Sequence, residues 1–396
     1  MSGPSPSTTL AGDRQARAVT NGYERTVREL LAIAGVEIDG GRPWDVRVHD
    51  DAFYRRVLAA GSLGLGESYM DGQWDCERLD ELSARLNSQK LERHVRRRMG
   101  RVAQVLRARL VTRWSRDQVM RRVAPHYDLG NDLFAAMLDR EHMAYTCAYW
   151  RRGAETLEQA QTDKLALVCE KIGLEPGMKV LDVGCGWGPF ARFAAAEYGA
   201  EVVGVTLSRE QAELGNARAD GLPVELRVQD YRDVKGTFDR VVSIGCLEHV
   251  GHRQHAAFFR QIHDRLSDDG VALVHAIGSG ASQFLVGGFI DRYVFPLVNL
   301  PSIAQIGRAI DGLLVLEDLH NIGPDYDRTL MEWNHRFQAA WPELEPKYGR
   351  LLEGRFKRMF EFYLLGCAGF SRARGHHVWQ MVLTKNTVPQ PDCRVS

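Results

Sequence analysis

The 396-residue sequence has no excess of charge of either sign, with 51 Lys and Arg against 51 Asp and Glu. A balanced surface excludes a protein that binds nucleic acid through its overall charge. It contains no charge-free apolar run approaching the roughly 18 residues that a membrane-spanning helix needs, so membrane contact is read as peripheral. The opening residues, MSGPSPSTTLAGDRQ, lack the basic-then-apolar pattern of a secretory signal. The 7 Cys, at positions 76, 147, 169, 185, 246, 367 and 393, include neither a CxxC pair nor zinc-ligand spacing. An odd, scattered set reads as reduced thiols in a cytoplasmic protein.

What is present divides the chain into stretches of different character. Residues 1–14 are rich in Ser, Pro, Thr and Gly and read as disordered. Residues 15–92 read as a small α+β domain without a nucleotide motif. Residues 93–122, RHVRRRMGRVAQVLRARLVTRWSRDQVMRR, hold 11 Arg against the single Asp117. The plain reading is a solvated helical linker. Val102, Val105, Leu106, Leu110, Val111 and Trp114 interleaved with that charge favour a basic amphipathic helix on anionic lipid headgroups. Stacking aromatics are too few there for nucleic acid. Residues 123–396 read as the catalytic domain. From 158 onward helices and strands alternate, with strands at KVLDVG, EVVGVTL, VELRVQD, FDRVVSIG and VALVHAIG, then LLVLEDLHNIG and HHVWQMVLTK. That alternation predicts an α/β fold with a doubly wound parallel sheet and a ligand beyond the strands' C-terminal ends.

The strand at Lys179 runs directly into a Gly-rich turn, KVLDVGCGWGP, with Gly184, Gly186 and Gly188 where the backbone must turn sharply and approach a ligand. A dinucleotide site is the obvious rival. Its fingerprint needs Gly where Pro189 stands, and the end of the second strand, VTLS, lacks the acid expected for a ribose. DVGCGWG instead resembles the first motif of class I methyltransferases, whose glycines face the methionine part of S-adenosylmethionine. The resemblance implies a Rossmann-like fold in which Asp182, Tyr145, Thr146, Thr206 and Leu207 border that cosubstrate. It further implies that Gln211 replaces the usual ribose acid and that Asp230 and Tyr231 face the adenine. Taken alone, Asp230 is equally a turn or capping residue.

Further segments are more specific: HYDLGNDLFAAMLDREHMAYTCAYW (126–150), GCLEHVG (245–251), HAIG (275–278), GPDYDRTLMEWNHRF (323–337) and GCAGFSRARGHHVWQMVLTK near the end. Together they resemble the cyclopropane fatty acid synthase family from about 120 to 385. The N-terminal region is in keeping with its longer, phospholipid-type members, which implies that residues 15–92 form a small lipid-interacting domain.

The resemblance implies transfer of a methylene unit to the cis double bond of unsaturated phospholipid acyl chains, with bicarbonate as the base. Glu248, His275 and Tyr326 would hold the bicarbonate, helped by the backbone near Cys147 and Ile277. Cys367 resembles a family cysteine, but the chemistry requires no covalent enzyme intermediate. A homodimer, peripheral at the inner face of the membrane, is what the family suggests.

Other readings remain beside these. Glu248, His249, His252 and His255 at i, i+3, i+6 spacing do not share one helical face and HExxH is absent, so no metal is expected. His275 alone, ending an apolar strand, is more often a hydrogen-bonded core histidine. The apolar stretch QFLVGGFIDRYVFPLVNLPSIAQIG (283–307) is either a core helix or the lid or wall of an acyl tunnel. Rival activities are formation of a methyl or methylene branch, N-methylation of a small amine, and lipid binding with an inactive cofactor site.

Overall fold

A computed structural model of the chain describes residues 22–88, 130–282, 287–296 and 298–395. The expectations for residues 1–14 and for the basic stretch 93–122 lie outside them. In chain order the elements are α1 (22–33), β1 (Arg47–Val48), α2 (Ala52–Ala60), α3 (Ser62–Met70), β2 (Trp74–Asp75) and α4 (Leu79–Ser88). Next come α5 (Asn131–Met137), α6 (Leu157–Lys171), β3 (Lys179–Val183), α7 (Pro189–Tyr198), β4 (Glu201–Thr206), α8 (Arg209–Arg218), β5 (Val224–Val228) and β6 (Phe238–Ile244). The remainder are α9 (His255–Arg265), β7 (Leu266–Gly278), α10 (Gly288–Tyr293), α11 (Ile303–Ile310), β8 (Val315–Asn321), α12 (Asp325–Tyr348), α13 (Phe356–Arg372) and β9 (His377–Thr384).

The chain forms two compact units. Of the described residues, the first gathers 22–88 with Gly287–Val294 and Glu345–Ala373. It is therefore discontinuous, where the sequence suggested one contiguous domain over 15–92 and a catalytic domain over all of 123–396. Side-chain chemistry explains the recruitment. Phe289 of α10 packs edge-on against Phe362 of α13 at 4.7 Å, beside the Tyr69 and Trp74 rings. A Cβ on Gly66 would fall 2.1 Å from the Phe289 ring, so α3 and α10 approach only because Gly stands there. Gly369 plays the same part between α13 and α4, where a Cβ would lie 2.0 Å from the Asp80 carbonyl. Arg358 binds Asp75, and Arg372 binds Asp80 and Glu81, tying α13 to the N-terminal segment.

The second unit carries a seven-stranded sheet of order β5-β4-β3-β6-β7-β9-β8. Strands β3 to β7 are parallel, and β9 lies antiparallel between β7 and β8. The parallel sheet read from the sequence therefore ends in a reversed strand. One face is covered by α9 and α11 through Phe258, Phe259, Ile262, Ile306 and Ile310. The other is covered by α6, α7 and Ala212 of α8, through residues such as Leu165, Val168, Phe190 and Ala194. Strand order reverses between β3 and β6, which opens a crevice at their C-terminal ends.

Local sequence signals place the elements around that crevice. Thr156 caps α6 in a reciprocal box with Gln159. Pro189 starts α7 at its first turn and Gly199 closes it in the left-handed conformation. Of the apolar 283–307 stretch, α10 belongs to the first unit, while α11 enters the core of the second. Residues 283–286 and 297 are outside the described set.

Candidate active site

The turn after β3 forms the floor of the crevice. Gly184, Gly186 and Gly188 all have positive φ, at 79°, 57° and 71°. Gly184 and Cys185 both donate to the Val205 carbonyl, locking the turn to β4. Gly184 is exposed although Val183 and Cys185 on either side are buried. A Cβ at Gly184 would meet the Cys246 side chain at 2.8 Å, and one at Gly188 would meet Leu226 at 2.7 Å. A Cβ at Gly186 would meet no atom of the described residues within 4 Å and would project into the open cleft. Asp182, buried beneath the turn, has its carboxyl pushed up to about 7 by burial, with Lys164 pulling the other way.

The neighbouring walls come from β4 and β5. The Thr206 hydroxyl donates to Gln211 Oε1 at 2.9 Å, and Ser208 caps α8 by accepting from the Gln211 amide. Leu207 lies between them, partly open. Asp230 does cap a short helical turn, accepting from the Arg232 amide, and both its oxygens are also held by the Arg232 guanidinium. Tyr231 packs edge-on against Phe258 at 5.5 Å.

Opposite the turn stands the segment 139–150. The Asp139 carboxylate gathers the amides of His142, Met143 and Ala144, which sets the bend. Beyond it, Tyr145 packs among Phe134, Trp333 and Phe295, and the Thr146 hydroxyl accepts from Lys164 Nζ at 3.0 Å. The Ala148 amide donates to Thr329 and the Trp150 amide to Asp325, which pins this segment to the start of α12. Cys147 is thereby buried against the Ile322 carbonyl, and burial pushes its thiol well up.

The turn after β6 adds the acid. Glu248 is buried, its Oε1 accepting from the Ile277 amide at 2.5 Å and its Oε2 enclosed without a partner among the described residues. Burial raises its carboxyl to about 7. His275, two residues before Ile277, is buried and pushed down to about 3 by desolvation and by Lys164, so it is neutral. Its Nδ1 has no partner among the described residues. Ile277 is opposite Val378, whose carbonyl accepts from Ile322, and Tyr326 follows within the next turn.

The second unit thus brings Glu248, His275, Ile277, Cys147 and Tyr326 around the ends of β6, β7 and β9, next to the glycine turn. Cys367 belongs to the first unit, on α13, and burial raises its thiol to about 12, which leaves little thiolate to act as a nucleophile. Among the described residues, no three His, Cys, Asp or Glu side chains converge as metal ligands.

The sequence reading missed Lys164 and Gln161. Gln161 donates to the Ala144 and Thr146 carbonyls, and Lys164 is fully enclosed, its ammonium pushed down to about 8 by burial. A signal was available, since Leu157, Gln161, Lys164 and Val168 fall at helical spacing on one buried stripe.

Residues 114–381 match the mycolic acid cyclopropane synthetase family. The chain belongs to that family. A cyclopropane-fatty-acyl-phospholipid synthase of Escherichia coli K12 is 46% identical over 363 residues, covering 92% of this chain and 94% of that protein. Among solved family structures, the cyclopropane synthase MmaA2 from Mycobacterium tuberculosis is 33% identical with a TM-score of 0.63, covering 67% of this chain and 98% of that one. The mycolic acid cyclopropane synthase CmaA1, complexed with SAH and CTAB, is 32% identical with a TM-score of 0.62 and the same coverage. The central sheet is thus that of a class I methyltransferase.

Proposed function

We propose that this protein transfers a methylene unit from S-adenosylmethionine to the cis double bond of unsaturated phospholipid acyl chains, forming a cyclopropane ring. The alkene π pair attacks the sulfonium methyl, the S–CH3 bond breaks, and S-adenosylhomocysteine leaves. The resulting carbocation closes to a ring when the new methyl loses a proton and its C–H pair forms the last C–C bond. The observation that carries this reading is the buried Glu248, its other oxygen unpartnered, clasped by the amide of Ile277, two residues along β7 from the buried, neutral His275. A thiolate or amine at that point would itself be methylated, and the enclosed thiol of Cys147 is held protonated.

Bicarbonate suits this donor set, because Glu248, its carboxyl raised to about 7, leaves one oxygen unpaired, and the neutral imidazole of His275 adds no fixed charge. Bound there by Glu248, His275 and Tyr326, it would supply a base that the sulfonium does not consume. Glu248 orients that base and also faces the developing cation, where a pre-placed acceptor lowers the barrier. The rings of Tyr145, Tyr149 and Tyr326 add attraction for positive charge. Gly184 and Gly186 leave room for the methionine part, with Gln211 towards the ribose and Asp230 and Tyr231 towards the adenine.

The basic stretch 93–122 serves as the contact with an anionic membrane surface, and the working form is a homodimer. Among the described residues no helix is long and apolar enough to cross a membrane. The deciding experiment is analysis of lipids from cells expressing the chain. Acyl chains one CH2 heavier, without the double bond and with the upfield proton resonances of a ring, are the expected result. A methyl or methylene branch would replace this reading with the branching one.

A further inference from the structure

Gln380 on β9 is a fully enclosed polar side chain on the strand that pairs with the His275 strand. It has 0% exposure, and neither its Oε1 nor its Nε2 has a partner among the described residues. It stands directly opposite His275 on β7 and directly opposite His320 on β8. All three share one sheet face. Val271 and Leu273 at two-residue spacing from His275, and Val382 at the same spacing from Gln380, pack into the core beneath α6. Asp318, two residues from His320, binds Lys171 of α6. Cross-strand neighbours of this kind have Cβ atoms about 5 Å apart, so Gln380 and His275 lie side by side with no other side chain between them.

An enclosed amide without partners costs stability, and the same position filled by an apolar residue would not. Its neighbours are two imidazoles, and the Nδ1 of one of them is likewise enclosed and unpartnered. A single ordered water among these groups would find donors and acceptors on several sides. We propose that Gln380 is a positioning residue that fixes the tautomer and ring orientation of His275 through one bridging water, on the side of the ring remote from the reacting centre. His320, half-buried and edge-on to Tyr149 at 5.7 Å, closes the row toward the sheet edge. The consequence for function rests on the role proposed for His275 above.

The test uses full-length protein labelled with 15N-histidine, the His275 signal being assigned by its loss in His275→Asn. In the unaltered protein the two ring nitrogens of His275 give well-separated shifts, the mark of one fixed neutral tautomer. Gln380→Met keeps the volume and removes the hydrogen bonds. It is expected to draw those shifts together and to lower kcat about tenfold, with KM for S-adenosylmethionine unchanged and thermal stability equal or higher. Gln380→Glu, which keeps the reach and a hydrogen-bonding end, should retain separated shifts below neutral pH. Unchanged His275 shifts in Gln380→Met overturn the proposal. If that variant does not fold, merged shifts in Gln380→Glu at low pH overturn it equally. Altered shifts with full turnover would uphold the positioning role and instead remove His275 from the chemistry.

Discussion

At the scale of single residues, the site is built on ionisable groups denied their solvent. Glu248 is the clearest. Its native carboxyl holds a proton to about pH 7, whereas the unfolded chain releases it near 4.5. Between those values the native state binds more protons, so this group's contribution to stability falls as pH rises and is fully lost above neutrality. The shift corresponds to on the order of 3 kcal/mol. Glu248→Gln is therefore expected to gain stability relative to the parent as pH climbs from 4.5 to 8, a trend that denaturant titrations at several pH values will check. The same variant should lose turnover by about two orders of magnitude while keeping its affinity for S-adenosylmethionine, since the role proposed for Glu248 is at the reacting end. Equal loss of affinity in calorimetry would make Glu248 a cofactor residue. Glu248 and His275 were legible because they sit in motif segments at strand ends. Gln380 was not, because one polar residue in HHVWQMVLTK has the look of the solvent side of an alternating strand. Only the pairing of β9 between β7 and β8 encloses it.

At the scale of elements, the glycine turn shows how neighbouring identical residues answer to different forces. Gly184 faces protein, and Gly186 faces the cleft. Alanine at either position carries the strain of a positive φ, typically about 1 kcal/mol. Gly184→Ala adds a clash with Cys246 and should lower the melting temperature by several degrees more than Gly186→Ala. Gly186→Val should fold and yet bind S-adenosylmethionine at least tenfold more weakly, as calorimetry would report. Unimpaired binding by a folded Gly186→Val would displace the ligand from this turn. Most of the sheet could be read from hydrophobic runs and intervening helices, because each parallel βαβ unit is local in the chain. The reversed insertion of β9 could not, because its direction is set after α12 and α13 have intervened.

At the scale of the whole molecule, charge is uneven even though it sums to zero. Residues 93–122 carry a net ten positive charges, eleven Arg less Asp117. Each Arg at an anionic lipid surface contributes on the order of 1 kcal/mol. Neutralising Arg96, Arg97, Arg98 and Arg101 together should weaken sedimentation with anionic vesicles at least a hundredfold. Salt should weaken the parent protein in the same way, because screening acts over roughly 10 Å at 0.1 M. Turnover of a short, detergent-dispersed substrate should persist. Vesicle binding by the quadruple variant equal to that of the parent would assign membrane contact to another surface.

The three-part first unit also sets a clock on synthesis. Its N-terminal segment leaves the ribosome long before α13, which supplies Phe362, Arg358 and Arg372 to its packing. At a translation rate of about 5–20 residues per second, the aromatic faces of Tyr69 and Trp74 wait roughly 15–60 s for those partners. Throughout that interval the nascent chain presents apolar surface that a holdase chaperone would recognise. Ribosome-bound chains halted at residue 340 should remain protease-sensitive over 22–88, and chains extended beyond 373 should become resistant there. Resistance in the shorter chains would mean that the N-terminal segment folds before its late partners arrive.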